Sequence, residues 1–183
     1  MIDLTKIDNS WTLFLDRDGV INHEKEKDYI HTWEEFRFYK GVKEAMAVFA
    51  KKFRHIIVIT NQRGIGKGVT RMEDVERIHK NMKAEIEKAG GRIDAVYFSP
   101  DVEDTSPDRK PNNGMGLRAL KDFPDIDNAK AIMIGNTLSD MQFGRNMGLK
   151  TIFLPTTRPE VDLDDERIDA VYDSLLSFAK AIR

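Results

Sequence analysis

The sequence predicts an α/β fold: a mostly parallel sheet with helices on both faces. Three observations carry that expectation. Short β-branched runs alternate with stretches whose apolar residues recur at helical spacing. The run HIIVIT is apolar throughout, as a strand covered on both faces requires. Polar residues able to do chemistry then stand at the ends of the runs, the edge where such sheets build ligand sites.

Residues 11–16 form a short apolar run that closes in Asp16. Val42, Ala45, Met46, Phe49 and Phe53 follow at helical spacing. Residues 55–60 (HIIVIT) read as a buried strand. Met72, Val75, Ile78, Met82 and Ile86 make the apolar stripe of a longer helix, which Gly90 and Gly91 end. A third strand is expected at 93–98 and a short helix around Met115, Leu117 and Leu120. The run AIMIG at 131–135 is a fourth strand, followed by a helix at 138–147 that Gly148 stops. A fifth strand at 151–154 and a closing helix at 174–182 complete the set. The charged, loop-like stretches 22–40 and 100–113 are too short for separate domains, so one domain is expected over residues 1–183.

Composition narrows the function classes. At 183 residues the chain can bury a core without staples, and 40% hydrophobic with 33% charged residues is ordinary for a soluble protein. No apolar run approaches the ~18 residues needed to cross a bilayer, and the first residues lack the pattern of a secretory signal. No membrane partner is expected. The absence of cysteine excludes disulfides, thiol nucleophiles and cysteine-based zinc sites, and it fits a cytoplasmic location. A net charge of -2 argues against a nucleic-acid backbone as partner. With no apolar surface stripe, a monomer is the default.

Four short motifs carry the chemistry. In Asp16-Arg17-Asp18-Gly19, a carboxylate closing a buried strand can act as nucleophile if a cation neutralises it, and a second one two residues on can act as general acid and base. The alternative is a strand-end aspartate capping a turn. Thr60-Asn61-Gln62 ends the second strand and suits either a phosphate cradle or an ordinary turn. The following GIGKG (64–68) matches neither a P-loop nor a dinucleotide fingerprint, and reads as a flexible loop beside the site. Arg109-Lys110-Pro111 offers a fixed cation for phosphoryl oxygens, or a solvated turn. Asn136 ends the fourth strand, and Asp140 lies one helical turn on. The two can face one cation, or simply mark a helix N-terminus. In this order, each after its own strand, the four make a complete phosphoryl-transfer set.

That order resembles the haloacid dehalogenase (HAD) superfamily over nearly the whole chain. LDRDGVIN (15–22), VITNQRGIGKG (58–68), RKPNNGM (109–115) and FRFYKGV (36–42) are similar to the branch containing histidinol-phosphate phosphatases and D-glycero-D-manno-heptose 1,7-bisphosphate phosphatases. The resemblance implies a Rossmann-like three-layer α/β/α sandwich without a cap domain, and a two-step phosphatase mechanism. Asp16 would attack phosphorus to form an aspartyl-phosphate. Asp18 would protonate the leaving oxygen and then activate water. Thr60 and Asn61 would hold the phosphate, Lys110 would neutralise it, and Arg109 would contact the substrate. Mg²⁺ would bind the Asp16 carboxylate, the Asp18 carbonyl and position 136, with Asp140 supporting. Arg63, Lys67 and Arg109 are candidates to grip a second anionic group.

Two departures from the branch follow. The loop before RKP carries Ser99, Pro100 and acidic residues where many members hold a structural zinc, so no zinc is expected. Asn136 stands where the fourth motif normally has Asp, so the site lacks one negative charge and the cation is expected to bind more weakly. The substrate is expected to be a small phosphorylated metabolite of carbohydrate metabolism, a sugar phosphate or bisphosphate, or a histidinol-phosphate-like ester. A nucleic-acid 3′-end phosphatase shares a similar second motif. A catalytically weakened phosphate-binding protein is the reading that Asn136 alone motivates.

Overall fold

Alternation along each strand decides which layer a side chain joins. The structure, a computed structural model, describes residues 2–182. In β1 (Thr12–Leu15), Leu13 and Leu15 face one layer and Phe14 the other. In β2 (His55–Asn61), Ile56 and Val58 share the first face, while Ile57 and Ile59 share the second. The first layer is filled by α1 (Val42–Lys52), α3 (Met72–Lys88) and α6 (Leu175–Ala181), through Met46, Phe49, Ile78, Met82 and Phe178. The second layer is filled by α4 (Gly114–Asp122) and α5 (Leu138–Asn146), through Met115, Ala119 and Phe143. Each fully buried side chain of this size contributes about 1.5–3 kcal/mol, so two such layers fix the sheet firmly between them.

β3 (Ala95–Ser99), β4 (Ala131–Gly135), β5 (Lys150–Phe153) and β6 (Ala170–Val171) complete a six-stranded parallel sheet in the order β3-β2-β1-β4-β5-β6. This is a Rossmann-like arrangement. The chain moves outward from β1 to β3, returns to the other side of β1 with β4, and moves outward again. The reversal falls between β1 and β4, where neighbouring connections leave the sheet in opposite directions and open a crevice. Leu15 pairs in register with both Val58 and Ile134, so the residues after β1, β2 and β4 emerge at one level.

Some expectations shift. β6 has only two residues, too few to give a periodic signal. The GIGKG loop is not irregular: Arg63–Gly66 forms a helical turn, α2, whose Gly66 N–H donates to the Pro100 carbonyl. In α4 the buried face is Met115 and Ala119, four residues apart, while Leu117 is 59% exposed. The third strand begins two residues later than the apolar run suggested, at Ala95.

Candidate active site

Asp16 follows β1 directly, and its N–H donates to the Ile134 carbonyl of β4, so the backbone stays in the sheet up to the carboxylate. Lys110 arrives from the loop after β3 and is almost wholly buried. Its Nζ lies 2.6 Å from Asp140 Oδ1 and 3.0 Å from Asp16 Oδ1, and donates to the Ile59 carbonyl at 2.8 Å. Burial pushes the Asp16 carboxyl up to about 7. Lys110 opposes that rise, while the Asp140 and Asp18 carboxylates add to it. Burial also pulls the Lys110 ammonium down, but Asp140 and Asp16 outweigh it and hold it above the ordinary lysine range. Two buried carboxylates therefore share one ammonium.

Asp18 has different surroundings. Its carboxylate accepts from Arg17 Nη2 at 3.0 Å, Asn22 Nδ2 at 2.8 Å and Gln62 Nε2 at 2.9 Å. Burial acts to raise Asp18, yet Arg17 and the bonds from Asn22 and Gln62 prevail and hold it below the usual carboxylate range. Arg17 is itself fully buried, and its Nη1 lies 3.0 Å from His79 Nε2 on α3. Burial first, and the Arg17 charge second, lower His79 to about 3, so the ring is neutral and its Nε2 accepts.

Asn136, after β4, is fully buried. Its Nδ2 donates to Thr157 Oγ1 at 2.6 Å, and its Oδ1 has no hydrogen-bond partner. Gly19 must be glycine here: its φ is +80°, and a Cβ would sit 2.0 Å from Asn136 Nδ2. Asp16, Asp18, Thr60, Asn61, Arg109, Lys110 and Asn136 all line one cleft of about 1010 Å³ at the crevice.

Known proteins resemble this chain in sequence and fold. Residues 108–178 match the Hydrolase_like family model, described as HAD-hyrolase-like. The D-glycero-alpha-D-manno-heptose-1,7-bisphosphate 7-phosphatase of Mycobacterium bovis is 31% identical over 175 residues, covering 95% of this chain and 92% of its own. The D-glycero-beta-D-manno-heptose-1,7-bisphosphate 7-phosphatase of Photorhabdus laumondii is 32% identical over 180 residues, covering 93% and 94%. The chain belongs to the HAD superfamily. Within it, the chain falls in the heptose-bisphosphate phosphatase-like branch and is a phosphoric monoester hydrolase. A solved structure, D,D-heptose 1.7-bisphosphate phosphatase from B. bronchiseptica complexed with magnesium and phosphate, superposes with a TM-score of 0.84 at 25% identity, over 94% of this chain and 97% of that one.

The residues present in this HAD phosphatase fit a hard cation. Asn136 offers a buried amide oxygen with no protein donor, and Asp16 sits where negative charge exceeds positive. Among the described residues no group of three or more His, Cys, Asp or Glu side chains gathers as a metal cage. A cation here would rest on one carboxylate with neutral oxygens.

Not every expected residue reaches the cleft in the expected role. Asp140 does not present a free carboxylate to a cation. Its Oδ1 accepts from Lys110, and its Oδ2 accepts from the Asn136 and Thr137 N–H groups at 3.2 and 3.0 Å, closing a capping box on α5. Arg63 does not line the cleft. Its guanidinium donates to the Val102 carbonyl at 2.6 Å and lies 3.4 Å from Asp104, because α2 turns it toward the 100–113 loop. Asn61 lines the cleft, but its side-chain amide pairs with the backbone of Lys110: Oδ1 accepts from the Lys110 N–H at 2.9 Å and Nδ2 donates to its carbonyl at 3.2 Å. Arg109 lines the cleft while its Nε donates to Asp104 at 2.9 Å.

Sequence reasoning gave no side-chain role to Arg17, Asn22 or Gln62, although all three lie in its motifs, and it missed His79 and Thr157. His79 carried a signal: it stands four residues after Val75, a polar group on the apolar face of α3. The Thr156-Thr157-Arg158 segment carried none, because three adjacent polar residues in a loop read as solvated.

Proposed function

We propose that this chain is a Mg²⁺-dependent phosphatase of a sugar bisphosphate of the D-glycero-D-manno-heptose 1,7-bisphosphate kind, removing the 7-phosphate. The observation that carries the reading is the Lys110–Asp16 pair at 3.0 Å on the floor of the cleft, in a chain aligned end to end with enzymes named for that reaction. Asp16 attacks phosphorus as its carboxylate, and Asp18, ionised at rest, takes the proton of the bound phosphate monoanion and passes it to the departing ester oxygen. Water, deprotonated by Asp18, then displaces the phosphate from Asp16. Lys110 holds Asp16 and faces the phosphoryl oxygens, Thr60 lines the same wall, and Asn61 fixes the Lys110 backbone. Mg²⁺, on Asp16, the Asp18 carbonyl and Asn136, would supply positive charge to the phosphoryl group.

A cleft of about 1010 Å³ is roomy enough for a bisphosphate. Lys67 on its wall provides a cation for a second phosphate, and Lys25, Arg109 and Arg158 would have to exchange their pairing with Glu35, Asp104 and Glu24 to join it. The relatives' names divide between alpha and beta anomers, so the anomer is the finer question. Phosphate release from both anomers of the heptose bisphosphate, from histidinol phosphate and from a 3′-phosphorylated oligonucleotide, each with Mg²⁺, is the test. Preference for a heptose bisphosphate is expected. Preference for the oligonucleotide overturns the substrate class, and no turnover of any ester overturns catalysis.

A further inference from the structure

We propose that Thr157 is a positioning residue for the cation site, holding the Asn136 amide so that its oxygen is left to the metal. This rests on the magnesium reading of the same site. A carboxylate at position 136 would have two equivalent oxygens, and its rotation would not matter. An amide has one oxygen and one NH₂ group, and the reversed orientation would present N–H donors to a cation. Replacing Asp with Asn therefore creates a requirement for something that tells the two ends apart.

The structure supplies it on the nitrogen end. Thr157 Oγ1 accepts from Asn136 Nδ2 at 2.6 Å, and the missing Cβ of Gly19 leaves the notch that Nδ2 occupies. Oδ1, at the other end, is buried and without a partner. A buried acceptor left unpaired is costly, and a bound cation would remove that cost. Thr157 is held in turn by its neighbours. Thr156 Oγ1 donates to the Gly19 carbonyl at 2.5 Å, while Arg158 donates to the Thr157 carbonyl at 2.9 Å and lies 2.8 Å from Glu24. Consecutive residues thus tie this loop to the first motif, the fourth motif and the 22–40 loop.

The experiment is calorimetric titration of MgCl₂ into metal-free protein, for wild type, Thr157→Val, Thr157→Ser, Asn136→Asp and the Thr157→Val/Asn136→Asp double variant. Thr157→Val is expected to weaken Mg²⁺ binding roughly ten- to a hundredfold, the usual effect of removing a group that orients a ligand. Thr157→Ser keeps the hydroxyl and restores wild-type affinity. In the Asn136→Asp background, where no orientation is needed, Thr157→Val changes affinity by less than about twofold. Wild-type affinity in Thr157→Val overturns the proposal. Equal losses in both backgrounds overturn it too, since general loosening of the loop would act on both. Absence of Mg²⁺ binding to wild type instead overturns the magnesium reading beneath it.

Discussion

The two aspartates of the first motif stand two residues apart in regions of opposite electrical character. Around Asp16, carboxylates outnumber cations: Asp16 and Asp140 share Lys110, and Asn136 adds no charge. Around Asp18, donors outnumber acceptors: Arg17, Asn22 and Gln62 surround a single carboxylate. Asp16 is accordingly pushed up and Asp18 held down. One half of the site is complete in itself. The other is short of positive charge, a deficit that a divalent cation would fill under the proposed function.

Asp16→Asn gives the largest expected effect. It removes the proposed nucleophile and is expected to lower turnover of p-nitrophenyl phosphate roughly a thousandfold or more. Equal activity in the variant would break the mechanism. Lys110→Met strikes the same half through stability, leaving two buried carboxylates with no ammonium. A loss of about 3–5 kcal/mol in urea unfolding is expected. A neutral result would mean the two carboxyls are not charged together.

Asn136→Asp sharpens the comparison by adding a negative charge to the half that already lacks positive charge. The Mg²⁺ concentration for half-maximal activity is expected to fall about tenfold. An unchanged value would show that the amide already serves as well as a carboxylate. The pH dependence of metal-free stability is a smaller effect. Asp16 binds its proton more tightly folded, at about 7, than at its ordinary 3.8, so its contribution is fully present below 3.8 and is lost as pH rises through 7. Melting temperature should fall over that window in wild type, with a shallower fall in Asp16→Asn. The smallest effect is expected from Arg63→Ala, since Arg63 faces Val102 and Asp104. KM for the preferred substrate should stay within about twofold, and a larger rise would return Arg63 to the cleft.

The sheet was legible in the sequence wherever an apolar run was short and bounded, as in the β-branched HIIVIT and the more mixed AIMIG, since such runs suit a strand covered on both faces. The places of Asp16, Thr60 and Asn136 were legible for the same reason: each ends such a run. What those side chains touch was not. Lys110 and Arg63 are both cations beside a motif. Only the folded loops turn Lys110 onto Asp16 and Arg63 onto the Val102 carbonyl. Asp140 met both of its readings halfway, lying at the site yet capping α5. Arg17 was hidden because a fully buried arginine is rare, and one of its partners, His79, lies 62 residues away.

The charge deficit at Asp16 is read most directly by the Mg²⁺-induced shift in melting temperature, measured from pH 5 to pH 9. In wild type the shift should grow as pH rises through about 7, because the cation must displace the Asp16 proton. In Asp16→Asn it should be small and flat. A shift of equal size in both proteins, or one independent of pH in wild type, would contradict the account.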